Sequence, residues 1–213
     1  MRLISKAMLL LATVLATTGS ARADLAMLLP ESGSFMRIHG TTTAPTGYQS
    51  LCKRQASLCM TATQPNQRAE INSNTWRQLA EVNAIANATV EPKSDLDIYG
   101  VSEYWALPGR TGDCEDYALL KQAMLVERGW PLSALVITVV RDESGQGHAV
   151  LTARTLSGDF ILDNRREEIV AWDESPYEFV KRQSAMDPNI WMALEPASAP
   201  REPQQLASPK RPN

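Results

Sequence analysis

The sequence predicts an α+β domain. Two observations carry the prediction. Residues 113–128 have helical character and end at Gly129 and Pro131. The period then changes, and between residues 135 and 163 three apolar strands follow one another with short connections. Connections that short make an antiparallel meander. The 190 residues after the expected leader are enough for one domain with a real core.

Residues 1–23 read as an export signal. Arg2 and Lys6 form a basic start, Ala7 to Ala16 is apolar but too short to span a bilayer, and Ala21-Arg22-Ala23 is an A-x-A cleavage site. A buried first helix is the alternative. Cleavage is expected after Ala23, and no later apolar run is long enough to cross a membrane. The mature chain is therefore expected to be soluble and exported. The leader removes Arg2, Lys6 and Arg22 and no acid, so the formal net charge falls from −3 to −6. That balance argues against a nucleic-acid surface. No run of Lys or Arg suggests a membrane-binding patch.

Residues 24 to about 60 contain Gly, Ser, Thr and Pro and read as irregular. Residues 66–90 read as a helix capped by Asn72 or Ser73, with Trp76, Leu79, Ala80, Val82, Asn83, Ile85 and Ala86 near a 3.6 period. Residues 91–111 read as a loop punctuated by Pro92, Gly100, Pro108 and Gly109, with Tyr104 and Trp105 inside it. In the helix at 113–128, Asp113 is a good N-cap and Glu115 and Asp116 suit the positive end of the dipole. Its apolar residues run nearly all round, which predicts burial against more than one layer. The strands are 135–140, 148–154 and 160–163, with turns at 142–147 and 156–159. A mix of helix and strand covers 167–194, with Trp172, Tyr177, Phe179, Val180, Ile190 and Trp191 as core candidates. The tail, 195–213, carries five prolines and reads as disordered. The organisation is thus a leader (1–23), one domain (24–194) and a Pro-rich tail (195–213).

The chain has three cysteines. Export permits disulfides. Cys52 and Cys59 lie close enough to pair, in a bridge worth on the order of 2 kcal/mol. A metal pair is the alternative, but no second Cys or His pair supports it. Pairing leaves Cys114 as the odd thiol, at a helix N-terminus that favours an anion. His148 opens one strand and Asp163 closes the next. If Arg154 faces Asp159 across the hairpin, Asp163 lies opposite Val150, diagonal to His148 on the same face and within hydrogen-bond reach. A one-residue change of register would separate them. A thiol, an imidazole to take its proton and a carboxylate to orient the ring form a nucleophilic triad. His39 lies in a weakly patterned stretch and is given no role. Asp113, Glu115 and Asp116 oppose a thiolate beside them. Either they cap the helix and face solvent, or they bind a hard cation such as calcium.

Gly112-Asp113-Cys114-Glu115-Asp116-Tyr117-Ala118, Gly147-His148-Ala149-Val150-Leu151 and Ile161-Leu162-Asp163-Asn164, in that order, resemble the bacterial transglutaminase-like cysteine peptidases, which include LapG-type periplasmic proteases of biofilm dispersal. The resemblance covers roughly residues 70–192. It implies a papain-like core, with the Cys-bearing helix packed on an antiparallel sheet. It implies Cys114 as nucleophile, His148 as general base and acid, and Asp163 as orienter. It also implies calcium at Asp113, Glu115 and Asp116, with a further ligand near Ser133. The implied substrate is a cell-surface adhesin, and the implied restraining partner is an inner-membrane cyclic-di-GMP receptor. The bridge and the Pro-rich tail depart from LapG and resemble shorter exported relatives.

Three functions are compatible with the residues. The first is an exported cysteine endopeptidase working through an acyl-enzyme, with backbone N–H groups at the start of the 114 helix in the oxyanion site and Trp105 lining the cleft or the core. The second is a transglutaminase, in which an amine resolves the same acyl-enzyme. The third is a non-catalytic binding module on this scaffold.

Overall fold

The computed structural model of the chain describes residues 29–30 and 33–195. The expected leader, 1–23, and the Pro-rich tail beyond Glu195 lie outside the described residues. The elements are β1 (Ile38–Thr42), α1 (Thr46–Arg54), α2 (Ser73–Thr89), β2 (Glu91–Pro92), α3 (Asp95–Tyr99), β3 (Thr111–Gly112), α4 (Cys114–Glu127), β4 (Leu135–Arg141), β5 (Gly147–Thr155), β6 (Gly158–Leu162), β7 (Val170–Ala171), β8 (Glu178–Gln183) and β9 (Trp191–Leu194). Seven strands form one sheet in the order β1-β9-β8-β4-β5-β6-β7. Every pairing in it is antiparallel.

α4 packs across β5 and β4, and α2 packs on α4. The core between helices and sheet takes Leu135, Ile137, Leu151, Ala153, Phe160 and Leu162 from the strands and Leu79, Val82, Ala118 and Leu125 from the helices. The opposite face buries Val140, Val150, Ile161 and Phe179 beneath Met36 and Trp172. Because both faces are covered, the central strands are continuous apolar runs with weak alternation. α4 is covered by sheet on one side and helix on the other, which is why its apolar residues wrap most of its circumference. Its buried set nevertheless includes Lys121, and Val126 is exposed.

α2 starts where its cap chemistry dictates. Asn72 accepts from the amides of Asn74 and Thr75, and the Thr75 hydroxyl accepts from the Asn72 amide. Its buried stripe is Trp76, Leu79, Val82, Asn83 and Ala86, while Ile85 faces outward. The hairpin between β5 and β6 is tighter than a four-residue turn, because Thr155 pairs with Gly158 and only Leu156 and Ser157 turn the chain. Gly158 has φ 138°, and a Cβ there would sit 2.8 Å from the Gly33 backbone carbon. Only glycine meets both conditions.

Besides 91–111, read as a loop but holding β2, α3 and the start of β3, elements of five residues or fewer, two stretches differ from the sequence reading. Residues 24–60 were expected to be irregular, yet they contain β1 and α1. All five residues of β1 are exposed, so its edge position beside β9 leaves no alternation to read. α1 has nine residues and buries only Gly47, Tyr48 and Leu51, too little to show a period. In the second stretch, 167–194, the expected mix of helix and strand contains three strands and a 3₁₀ turn at Trp172–Glu174. Trp172, Phe179 and Trp191 are buried there as core residues, Tyr177 is half-buried and packs against the Trp172–Phe179 cluster, and Ile190 is exposed. Cys52 and Cys59 form a disulfide, and Cys114 is free.

Candidate active site

Strand register builds the first part of the site. β5 and β6 pair Arg154 with Asp159 and Leu151 with Leu162, so Asp163 follows just past the paired segment, next to Val150. His148 shares the Val150 face. Its Nε2 lies 2.9 Å from Asp163 Oδ1, and both side chains are buried. Asp163 Oδ1 also accepts from the Arg165 amide at 3.0 Å, and Oδ2 accepts from the Tyr177 hydroxyl at 2.5 Å. Burial alone would raise the Asp163 pKa, but the hydrogen bonds from His148, Tyr177 and Arg165 outweigh it and bring it down to about 2. An ionised Asp163 only accepts, so His148 carries its proton on Nε2. His148 Nδ1 is then the basic nitrogen, and it is buried without a partner among the described residues. The Tyr177 ring stands edge-on to the imidazole, centroids 5.5 Å apart.

Cys114 is the first residue of α4, at the positive end of the helix dipole. The thiol is half-buried. Its Sγ lies 3.1 Å from Glu115 Oε2. Burial, followed by the Glu115 charge, holds the thiol well above its ordinary pKa. Glu115 is itself pushed up to about 9 by burial and by the charge of Asp113. In the protein alone, the acidic neighbours oppose a thiolate.

The acids do not face solvent, and Asp113 does not cap α4 with its side chain. Asp113 and Asp116 instead meet Asp95, from α3, with one carboxylate oxygen of each within 4.8 Å of the others. Each of the three carboxylates divides its oxygens in the same way. Asp95 Oδ2 accepts from the Tyr104 amide, Asp113 Oδ2 from the Asp95 amide at 3.3 Å, and Asp116 Oδ1 from the Ala106 amide at 2.8 Å. The other oxygens, Asp95 Oδ1, Asp113 Oδ1 and Asp116 Oδ2, are buried without a hydrogen-bond partner among the described residues. Burial drives Asp116 up to about 7, and the charges of Asp113 and Asp95 add to the rise. Gly112 is needed beside them, since a Cβ there would lie 2.9 Å from Asp116 Oδ2. Three hard oxygen donors, desolvated and aimed together, fit a divalent cation such as calcium.

Glu115 is not part of this group; its Oε2 lies 3.1 Å from Cys114 Sγ, and it stays close enough to Asp113 to feel its charge. Ser133 bonds to Gln64 and Gln67. Trp105 is core, buried against Tyr48 and Trp191. Sequence reasoning missed Asp95 and Tyr177. Asp95 sits 18 residues before Asp113 in a stretch read as loop, where Ser94 marks a helix start and nothing marks a ligand. Tyr177 looked like one aromatic among several core candidates.

Residues 38–199 match the family model of the bacterial transglutaminase-like cysteine proteinases. The chain belongs to that family. It is a cysteine peptidase of the transglutaminase-like type, and its substrates are proteins. Solved structures of Legionella pneumophila LapG are similar to it. The calcium-bound form shows 27% identity over 68% of this chain and 77% of that chain, with a TM-score of 0.49. A second LapG structure shows 26% identity over 68% and 75%, with a TM-score of 0.47, and an EGTA-treated form shows 25% over the same shares, with 0.46. No curated protein sequence matches significantly. No helix among the described residues of this peptidase is long and apolar enough to cross a membrane.

Proposed function

We propose that the chain is an exported, calcium-dependent cysteine endopeptidase acting through Cys114, His148 and Asp163. The observation that carries the reading is the oriented His148–Asp163 pair, with Nδ1 unpartnered among the described residues and Cys114 at the N-terminus of α4.

The chemistry follows from these atoms. The Cys114 proton must leave for the sulfur to attack the peptide carbonyl. His148 Nδ1 takes that proton. Asp163 holds the ring in this tautomer and stabilises the imidazolium. His148 then gives the proton to the leaving amine, and an acyl-enzyme remains on Cys114. Water, deprotonated by the same nitrogen, releases the product. The Cys114 amide at the start of α4 is a donor for the oxyanion. Asp95, Asp113 and Asp116 would hold calcium, and the bound ion supplies positive charge that offsets the acids beside the thiol.

Export to the periplasm rests on the leader at residues 1–23, with 24–194 as the peptidase domain and 195–213 as the tail. On the family resemblance, the substrate is a cell-surface adhesin-type protein and the restraining partner is an inner-membrane cyclic-di-GMP receptor.

The test compares exported surface proteins from the same cell after incubation with wild type or Cys114→Ala, with calcium or excess chelator. Cleavage is expected only with wild type and calcium, and chelator is expected to lower the melting temperature. Full activity in chelator would remove the calcium part. Incorporation of a labelled amine without peptide cleavage would replace hydrolysis by acyl transfer.

A further inference from the structure

Two of the three cation-facing acids are aimed by amides from one short segment. The Tyr104 amide holds Asp95 and the Ala106 amide holds Asp116. The residue between them, Trp105, offers its carbonyl on the other side, and Arg54 Nη2 donates to it at 2.7 Å. The same guanidinium lies over the Tyr104 ring, 3.9 Å from its centroid. Arg54 makes no salt bridge among the described residues, so its charge goes to this segment.

Arg54 ends α1, and α1 is fitted to the segment along its length. Tyr48 packs edge-on against the Trp105 ring at 5.6 Å. Gly47 leaves no room for a side chain, since a Cβ would lie 2.3 Å from Trp105 Cδ1. The chain after Arg54 is held as well. The Cys52–Cys59 bridge spans it, and the Cys59 carbonyl accepts from Asn189 Nδ2 at 3.0 Å. Without the bridge, the end of α1 would be free to fray, as helix termini do.

We propose that Arg54 is a positioning residue for the Asp95–Asp113–Asp116 site, and that the Cys52–Cys59 disulfide tunes its affinity for calcium by fixing the end of α1. The inference rests on the calcium reading above. It makes the site sensitive to the redox state of a bridge that shares no atom with it.

The test is calcium titration by calorimetry on the oxidised chain. All variants carry Cys114→Ala, so that the free thiol neither cuts nor exchanges with the bridge. Arg54→Met is expected to weaken calcium binding about ten-fold, equivalent to about 1.4 kcal/mol. Arg54→Lys, which can still donate to the Trp105 carbonyl, is expected to recover part of the loss. Cys52→Ser with Cys59→Ser is expected to weaken binding several-fold, and adding Arg54→Met to it should cost less than the two losses multiplied. Melting in chelator is the second readout. A variant that melts lower in chelator but binds calcium as the parent does would show a merely structural role and overturn the proposal. Unchanged affinity in Arg54→Met would overturn it too. A parent that binds no calcium would overturn both this inference and the calcium reading, so the two failures are distinguishable.

Discussion

Replacing Tyr177 by Phe removes one hydroxyl and leaves the ring. The hydroxyl donates to Asp163 Oδ2 at 2.5 Å, and it is the donor on that oxygen, since His148 and the Arg165 amide both use Oδ1. Asp163 is buried, so water cannot replace the lost bond at no cost. A hydrogen bond to a charged group contributes about 1.5–3 kcal/mol, and a value near 2 is expected here. By linkage, the part of that loss that exceeds the value of a neutral hydrogen bond raises the Asp163 pKa. The folded-state pKa of Asp163 is depressed, from 3.8 to about 2. A depressed acid stabilises the fold above its unfolded pKa, and that contribution is lost as pH falls from about 4 toward 2. Tyr177→Phe should therefore cost about 2 kcal/mol at pH 7 and flatten the acid dependence of stability. The assay is urea unfolding of wild type, Tyr177→Phe, Asp163→Asn and the double variant at pH 7. In the Asp163→Asn background the cost should drop to about 0.5–1 kcal/mol, the value of a neutral hydrogen bond. A full cost that persists without the carboxylate would refute the reasoning and make Tyr177 a packing residue. Peptide hydrolysis should fall in kcat with KM little changed, because Tyr177 acts through Asp163 on His148.

Cys114→Ala should abolish peptide hydrolysis by about 10⁴-fold or more while leaving thermal melting near wild type; residual activity above roughly one part in a thousand would remove it from the nucleophile role. Asp95→Asn should weaken calcium binding by about ten-fold or more and raise the melting temperature in chelator, because it relieves repulsion among three desolvated carboxylates; calorimetry and melting in chelator check both signs. Lys121→Met tests a buried amine with an unpartnered Nζ. Burial lowers the Lys121 pKa from 10.5 to about 7. Between those values the unfolded chain binds a proton that the folded chain lacks, so wild-type stability should rise with pH from about 7 to about 10. The methionine variant should lose that rise and gain up to about 5 kcal/mol at neutral pH, read from urea unfolding at pH 7 and pH 10.

Much of this was legible in the chain because it was local. Period, punctuation and caps placed α2, α4 and the β4–β5–β6 meander, and hairpin pairing put His148 and Asp163 on one face. β1 and α1 were not legible, because an exposed edge strand and a nine-residue helix bury too little to leave a pattern. Asp113, Glu115 and Asp116 are adjacent in sequence and read as one set. On a helix, successive residues point in different directions, so Asp113 and Asp116 join the cluster and Glu115 reaches Cys114. The third carboxylate of the cluster comes from α3, and the group that holds its loop comes from α1. Sequence placed Cys114 at a helix start and His148 beside Asp163, since helix start and strand register are short-range properties. Only the tertiary structure decided which acids face one another, what aims them and which tyrosine secures Asp163, since those contacts join residues far apart in the chain.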